Sequence, residues 1–131
     1  MNMKNNKVLN AGIVGLGRWG QVLVKSINHK SSSLLKFTHC YTRTISKAKL
    51  FCNEYSLTNC YSYEELINNE EIDLIVLASP HSHHFEQIIK ASKAKKHIFV
   101  EKPFTLTLSD AIKSIQISKK YNIKIGAGFN R

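Results

Sequence analysis

The sequence predicts an α/β fold, a doubly wound parallel sheet of about six strands with helices on both faces. Two observations carry this. Short apolar runs and amphipathic helix patterns alternate about six times along the 131 residues, the order that right-handed strand–helix–strand crossovers impose. The run IDLIVLA, residues 72–78, is apolar almost throughout, as expected of a parallel strand covered on both faces. This length has room for one domain with a real core and not for a second, since such a domain buries about two-thirds of its unfolded surface.

The elements follow in order. Val8 to Val14 reads as the first strand, and Gly20, Leu23, Val24 and Ile27 make the apolar face of the helix after it. Leu35 to Tyr41 is the second strand, followed by a helix with Ala48, Phe51, Cys52 and Tyr55 inward and Ser46 placed to cap it. A short strand near Asn59 to Tyr61 leads to a short helix over Tyr63 to Asn68. Asp73 to Ala78 is the fourth strand, then a weaker helical face of Phe85, Ile88, Ile89 and Ser92, then a fifth strand, His97 to Val100. Leu108, Ala111, Ile112 and Ile115 predict the face of a last helix, opened by a capping box of Thr107 and Asp110, before a sixth strand over Ile123 to Gly128. There is no repeat, low-complexity segment or internal linker.

Nineteen Lys and Arg against nine Asp and Glu give a formal charge of +10, enough to attract phosphates or acidic partners. The lysines of the second half are spread out, without the interleaved aromatics of single-strand binders, so a nucleic-acid partner is not expected. Cys40, Cys52 and Cys60 are odd in number and lack CxxC spacing, which favours free thiols in a reducing cytoplasm. The stretch MNMKNNKVLNAGIVGLG is broken by Asn10 and glycines and reads as a strand, not a leader. No apolar run approaches the roughly eighteen residues of a membrane span.

GLGRWG, Gly15 to Gly20, stands where the first strand becomes the first helix and matches GxGxxG. Gly15 permits the tight turn, Gly17 lets the backbone approach a pyrophosphate, and Gly20 lets the helix pack closely. With Leu16, Arg18 and Trp19, these glycines are candidate contacts to a dinucleotide at the helix N-terminus, and the fold is accordingly Rossmann-like. NAD-binding versions end the second strand in a carboxylate for the ribose 2′-hydroxyl. Here the strand ends Tyr41, Thr42, Arg43, Thr44. Arg43 can pair with a 2′-phosphate, which a carboxylate would repel, and the threonine hydroxyls can donate to it. NADP is therefore the preferred cofactor, with NAD possible if Arg43 is an ordinary loop arginine.

SPHSHH, Ser79 to His84, follows the fourth strand at the carboxyl edge, where open α/β sheets bind ligands. His81, His83 and His84 lack a partner cluster of Cys or acidic residues, so a cleft or capping role is expected in place of metal. EKP, Glu101 to Pro103, ends the fifth strand at the same edge. If buried, this charge pair is costly unless used. Lys102 is either a cation or general acid/base for substrate in the cleft or an ordinary lysine of an exposed loop.

Taken in order, GLGRWG, YTRT, SPHSHHFE, HIFVEKPF and GAGFNR resemble the glucose-fructose oxidoreductase, inositol dehydrogenase and rhizopine-catabolism (Gfo/Idh/MocA) family of NAD(P)-dependent oxidoreductases, over essentially the whole chain. Ser79 stands where threonine is commoner, and Thr42 and Arg43 replace the acidic residue of NAD-preferring members. The resemblance implies that Gly15, Gly17 and Gly20 hold the dinucleotide and that Thr42, Arg43 and Thr44 take its adenosine end. It places Ser79, Pro80 and His84 along the cofactor towards the nicotinamide, with Glu101 bordering it, and makes Lys102 the active-site lysine.

Family members also carry a carboxyl-terminal domain that supplies substrate contacts and usually the oligomer interface. The resemblance thus implies that residues 1–131 are the dinucleotide-binding domain only. It would serve an oxidoreductase acting on a sugar, inositol or sugar-nucleotide alcohol or ketone, catalytically incomplete alone, with a homo-oligomer or a complementing chain as the expected partner. The alternative is a non-enzymatic module that binds NADP or a partner.

Overall fold

In the computed structural model, which describes residues 7–30 and 34–128, six strands form one parallel sheet. They are β1 Leu9–Val14, β2 Leu35–Tyr41, β3 Thr58–Asn59, β4 Leu74–Leu77, β5 His97–Val100 and β6 Ile125–Ala127. The helices are α1 Arg18–Asn28, α2 Ile45–Glu54, α3 Tyr63–Ile67, α4 His84–Lys93 and α5 Leu108–Lys120, with a 3-10 turn at His81–His83. The strand order is β3-β2-β1-β4-β5-β6. The chain thus winds outward from β1, returns to β4 and winds the other way, which opens a crevice between the carboxyl ends of β1 and β4. The opening MNMKNN and the last three residues of GAGFNR lie outside the described residues.

The apolar run on β4 is buried on both faces as its composition requires. Ile75 and Leu77 join a core with α3, α4 and β5, built around Leu66, Ile88, Ile98 and Val100, while Val76 joins the opposite core with Val24 of α1 and Ala48, Phe51 and Cys52 of α2. Each fully buried Ile or Leu contributes about 1.5–3 kcal/mol against exposure.

Three helix details depart from the sequence reading. Thr44, not Ser46, is the N-cap of α2, and its side chain makes no capping bond. On α4 the buried set is His84, Ile88, Ala91 and Ser92, leaving Phe85 and Ile89 half-buried. On α5 the predicted apolar face is turned outward: Leu108 is 77% exposed, Ile112 48% and Ile115 47%, while Ser114 and Ser118 are buried. Each buried serine is satisfied within its helix, Ser114 Oγ donating to Asp110 O and Ser118 Oγ to Ile115 O. Thr107 does cap α5, accepting from Asp110 N–H at 3.0 Å. Ser62 caps α3 through Glu65 N–H, and Glu65 Oε2 accepts from Tyr61 N–H, a box that the helix periodicity did not reveal.

Asp73 ties the amino ends of the central strands. Its carboxylate accepts from Asn10 N–H at 2.9 Å and from Lys7 Nζ at 3.2 Å, and its carbonyl accepts from His97 N–H. Partial burial pushes its pKa up, but the Asn10 N–H and the Lys7 ammonium outweigh this and hold it below the usual range. A depressed folded-state pKa gives stability that is present above the unfolded pKa of about 4 and lost as pH falls through the folded value. Asp73→Asn is therefore expected to lower the unfolding free energy by about 1 kcal/mol at pH 7. In urea titrations the gap between the two proteins should narrow as pH falls below the ordinary aspartate range; a gap that does not change with pH contradicts this account.

Candidate functional site

The loop between β1 and α1 is fixed by contacts that exclude side chains. Gly15 has φ +93°, and a Cβ there would lie 2.6 Å from Ala78 O; a Cβ on Gly20 would lie 2.1 Å from Gly15 O. Both positions require glycine for the strand to turn against β4 and for α1 to start where it does. Gly17 differs, because nothing lies within 4 Å of where its Cβ would stand. Packing does not demand glycine at that position, and a side chain there would project into open space.

Gly15, Leu16 and Gly17 form one wall of a cavity of about 780 Å³ at the crevice. Gly17 is the N-cap of α1, and no acidic residue stands in the first turn. The first N–H groups of the helix, which have no intrahelical acceptor, and its positive dipole end are thus available to an anion. A bare backbone approach beside an uncompensated helix N-terminus fits a pyrophosphate.

The second wall comes from the carboxyl end of β2. Thr42 and Arg43 line the cavity, whereas Thr44 does not. Arg43 is exposed and makes no ion pair among the described residues. Sequence reasoning missed the third wall, Tyr61 to Glu64 after β3 and Glu86, Gln87 and Lys90 on α4. The signal was available: SYEE follows the third strand at the same carboxyl edge. Lys90 Nζ lies 3.0 Å from Glu64 Oε1 and 3.1 Å from Glu86 Oε1. Glu64 and Glu86 accordingly raise the Lys90 pKa, and Lys90 lowers that of Glu64. Of the two cations on the cavity, Lys90 is thus neutralised by carboxylates and Arg43 is not.

A second hollow of about 230 Å³ adjoins the first through Ala78 and Ser79, which line both; its other walls are Trp19, His81, Glu101 and Lys102. The EKP charges are not buried. Lys102 is exposed, Glu101 is half-exposed, and neither side chain is paired among the described residues, so no desolvation cost has to be repaid. A Cβ on Gly128 would approach Glu101 Oε1 to 3.1 Å, so the carboxylate lies over the end of the last strand. The Lys102–Pro103 peptide bond is cis.

The three histidines separate. His83 lines the larger cavity and His81 the smaller. His84 lines neither; it is fully buried, with Nδ1 2.9 Å from Pro103 O and Nε2 3.0 Å from Ser79 O. Its ring stands between the backbones of the two loops and meets the ring of His81 edge to face, 5.8 Å between centroids. Among the described residues no group of three His, Cys, Asp or Glu is arranged to hold a metal ion. Ser79 Oγ donates to Gln87 Oε1, and Pro80 lines the larger cavity. Arg18 is exposed and lines neither hollow.

The chain is 30% identical over 121 residues to 2,7-anhydro-N-acetylneuraminate hydratase of Escherichia coli, covering 92% of this chain and 32% of that protein. It is also 30% identical over 121 residues to myo-inositol 2-dehydrogenase of Thermotoga maritima, covering 92% and 36%. The crystal structure of scyllo-inositol dehydrogenase from Lactobacillus casei with bound NAD(H) and scyllo-inositol superposes with a TM-score of 0.84 at 27% identity, covering 93% of this chain and 36% of that one. The chain therefore spans about a third of the length of the relatives it matches. No helix among the described residues is long and apolar enough to cross a membrane. With residues 9–129 matched by the model of the oxidoreductase family with an NAD-binding Rossmann fold, the chain belongs to the Gfo/Idh/MocA family.

Proposed function

We propose that these residues form the dinucleotide-binding half of an oxidoreductase that moves hydride between NADP(H) and an alcohol or ketone of the sugar, inositol or sugar-nucleotide type. The observation that carries this is the pair of adjoining hollows at the strand-order switch, one bordered by the bare Gly17 and the unpaired Arg43, the other by Lys102. Gly15, Gly17 and the start of α1 would hold the pyrophosphate, and Thr42 and Arg43 the adenosine end with its 2′-phosphate. Ser79, Pro80 and Glu101 would border the nicotinamide half, and His84 would position both loops from below. The nicotinamide supplies the hydride chemistry, and the protein supplies orientation and charge. Lys102, a free ammonium at the rim of the smaller hollow, would contact the reacting oxygen of substrate.

The rest of the substrate site would come from further polypeptide, in one chain with these residues or complementing them. Two observations support this: the relatives are about three times as long, and α5 carries its apolar stripe on the outside. We place the protein in the cytoplasm, where Cys40, Cys52 and Cys60 persist as free buried thiols.

Calorimetry should find NADP bound more tightly than NAD, and Arg43→Ala should weaken NADP about tenfold while changing NAD by less than about threefold. A clear NAD preference in the unaltered protein would refute the assignment of Arg43. His84→Ala, which removes the donor between Ser79 O and Pro103 O, is expected to cost about 2 kcal/mol of stability and to weaken NADP as well. An unchanged melting curve and affinity would deny it the positioning role. The 131 residues alone should show no turnover on polyols or sugars; robust activity would mean that the site is already complete.

A further inference from the structure

Trp19 belongs to the glycine loop by sequence, yet it lines the smaller hollow with His81, Glu101 and Lys102 and not the larger one with Gly15 and Gly17. It is the chain's one tryptophan, 46% exposed in the first turn of α1. An indole left half in water beside a carboxylate and an ammonium is not there to fill a core. Because the two hollows share Ala78 and Ser79, a dinucleotide with its adenosine diphosphate half in the larger one extends its nicotinamide half past Trp19.

We propose that Trp19 makes this subsite discriminate between the oxidation states of the cofactor, holding the cationic pyridinium ring of NADP⁺ more tightly than the neutral dihydropyridine ring of NADPH. The inference rests on the dinucleotide reading above. The oxidised ring is a planar cation, which the electron-rich face of an indole attracts; the reduced ring carries no charge and gains only contact area. The charged groups facing the hollow are Glu101, which favours a cation, and Lys102, which opposes it. The indole adds its attraction to that of the carboxylate, and it is the part of that pull that a substitution at Trp19 removes.

As the lone tryptophan, Trp19 reports on itself. The 131-residue chain is titrated with NADP⁺, NADPH and 2′-phospho-ADP-ribose, which lacks only the nicotinamide, with calorimetry in parallel to tryptophan emission. All three should release heat of binding, but only the two nicotinamide-bearing ligands should quench the emission. Trp19→Leu should weaken NADP⁺ about fivefold and NADPH less than about twofold, with Trp19→Phe retaining most of the difference. Unchanged affinity for 2′-phospho-ADP-ribose in both variants shows that the fold is intact. Quenching by 2′-phospho-ADP-ribose, no quenching by bound NADP⁺, or equal weakening of both oxidation states overturns the inference and leaves the dinucleotide reading standing. Absence of heat from every ligand overturns both.

Discussion

The site depends on one crowded junction, where the backbone of Gly15 meets that of Ala78. Gly15 N–H donates to Tyr41 O, and Ala78 N–H donates to Val14 O, so the carboxyl ends of β2, β1 and β4 are tied within one residue of each other. No side chain fits at Gly15, and none fits at Gly20, whose Cβ would strike Gly15 O. Those two exclusions set the direction in which α1 leaves the sheet. They thereby aim its free N–H groups into the crevice that the reversed strand order opens. Gly17, relieved of any packing duty, leaves the space that a phosphate would take.

The electrostatics follow from the same geometry. A formal charge of +10 says little about where an anion binds, because most of the lysines lie on solvated faces. What matters is which cations at the cleft are already committed. Lys90 is held between Glu64 and Glu86, whereas Arg43 meets no carboxylate among the described residues. The free positive charge of the larger cavity therefore sits at the end of β2, beside the helix N-terminus and opposite the neutralised wall of α4.

The sheet was legible in the sequence because a strand covered on both faces and a glycine loop both write strong local signals: β2 and β5 fall on the residues expected of them, and the others within two residues of their predicted ends. Helix faces were less legible wherever small polar residues do the packing. Ser114 and Ser118 of α5 are buried, where a small side chain permits close approach and a hydroxyl can bond its own helix. Periodicity counts only apolar residues, so it assigned the outer stripe of α5 to the core. The role of His84 was hidden for a related reason. Its two partners are carbonyl oxygens, of Ser79 and Pro103, which no side-chain pattern announces. The wall at Tyr61 to Glu64 was missed because the motifs that drew attention follow β1, β2, β4 and β5, although SYEE stands at the same carboxyl edge after the two-residue β3.

The two hollows are specified to different degrees, and this bears on what these residues can determine. The larger one is built from backbone constraints, a helix terminus and committed ion pairs, all internal to the chain. The smaller one presents Lys102 and Glu101 on an open rim with no partner among the described residues to fix either head group. A lysine so placed can serve any oxygen that other groups bring to it, since its own surroundings impose no geometry on the ligand. Relatives equally identical to this segment are a hydratase and a dehydrogenase. Likeness over these residues therefore does not select a reaction, and the open rim at Lys102 imposes none by its own geometry.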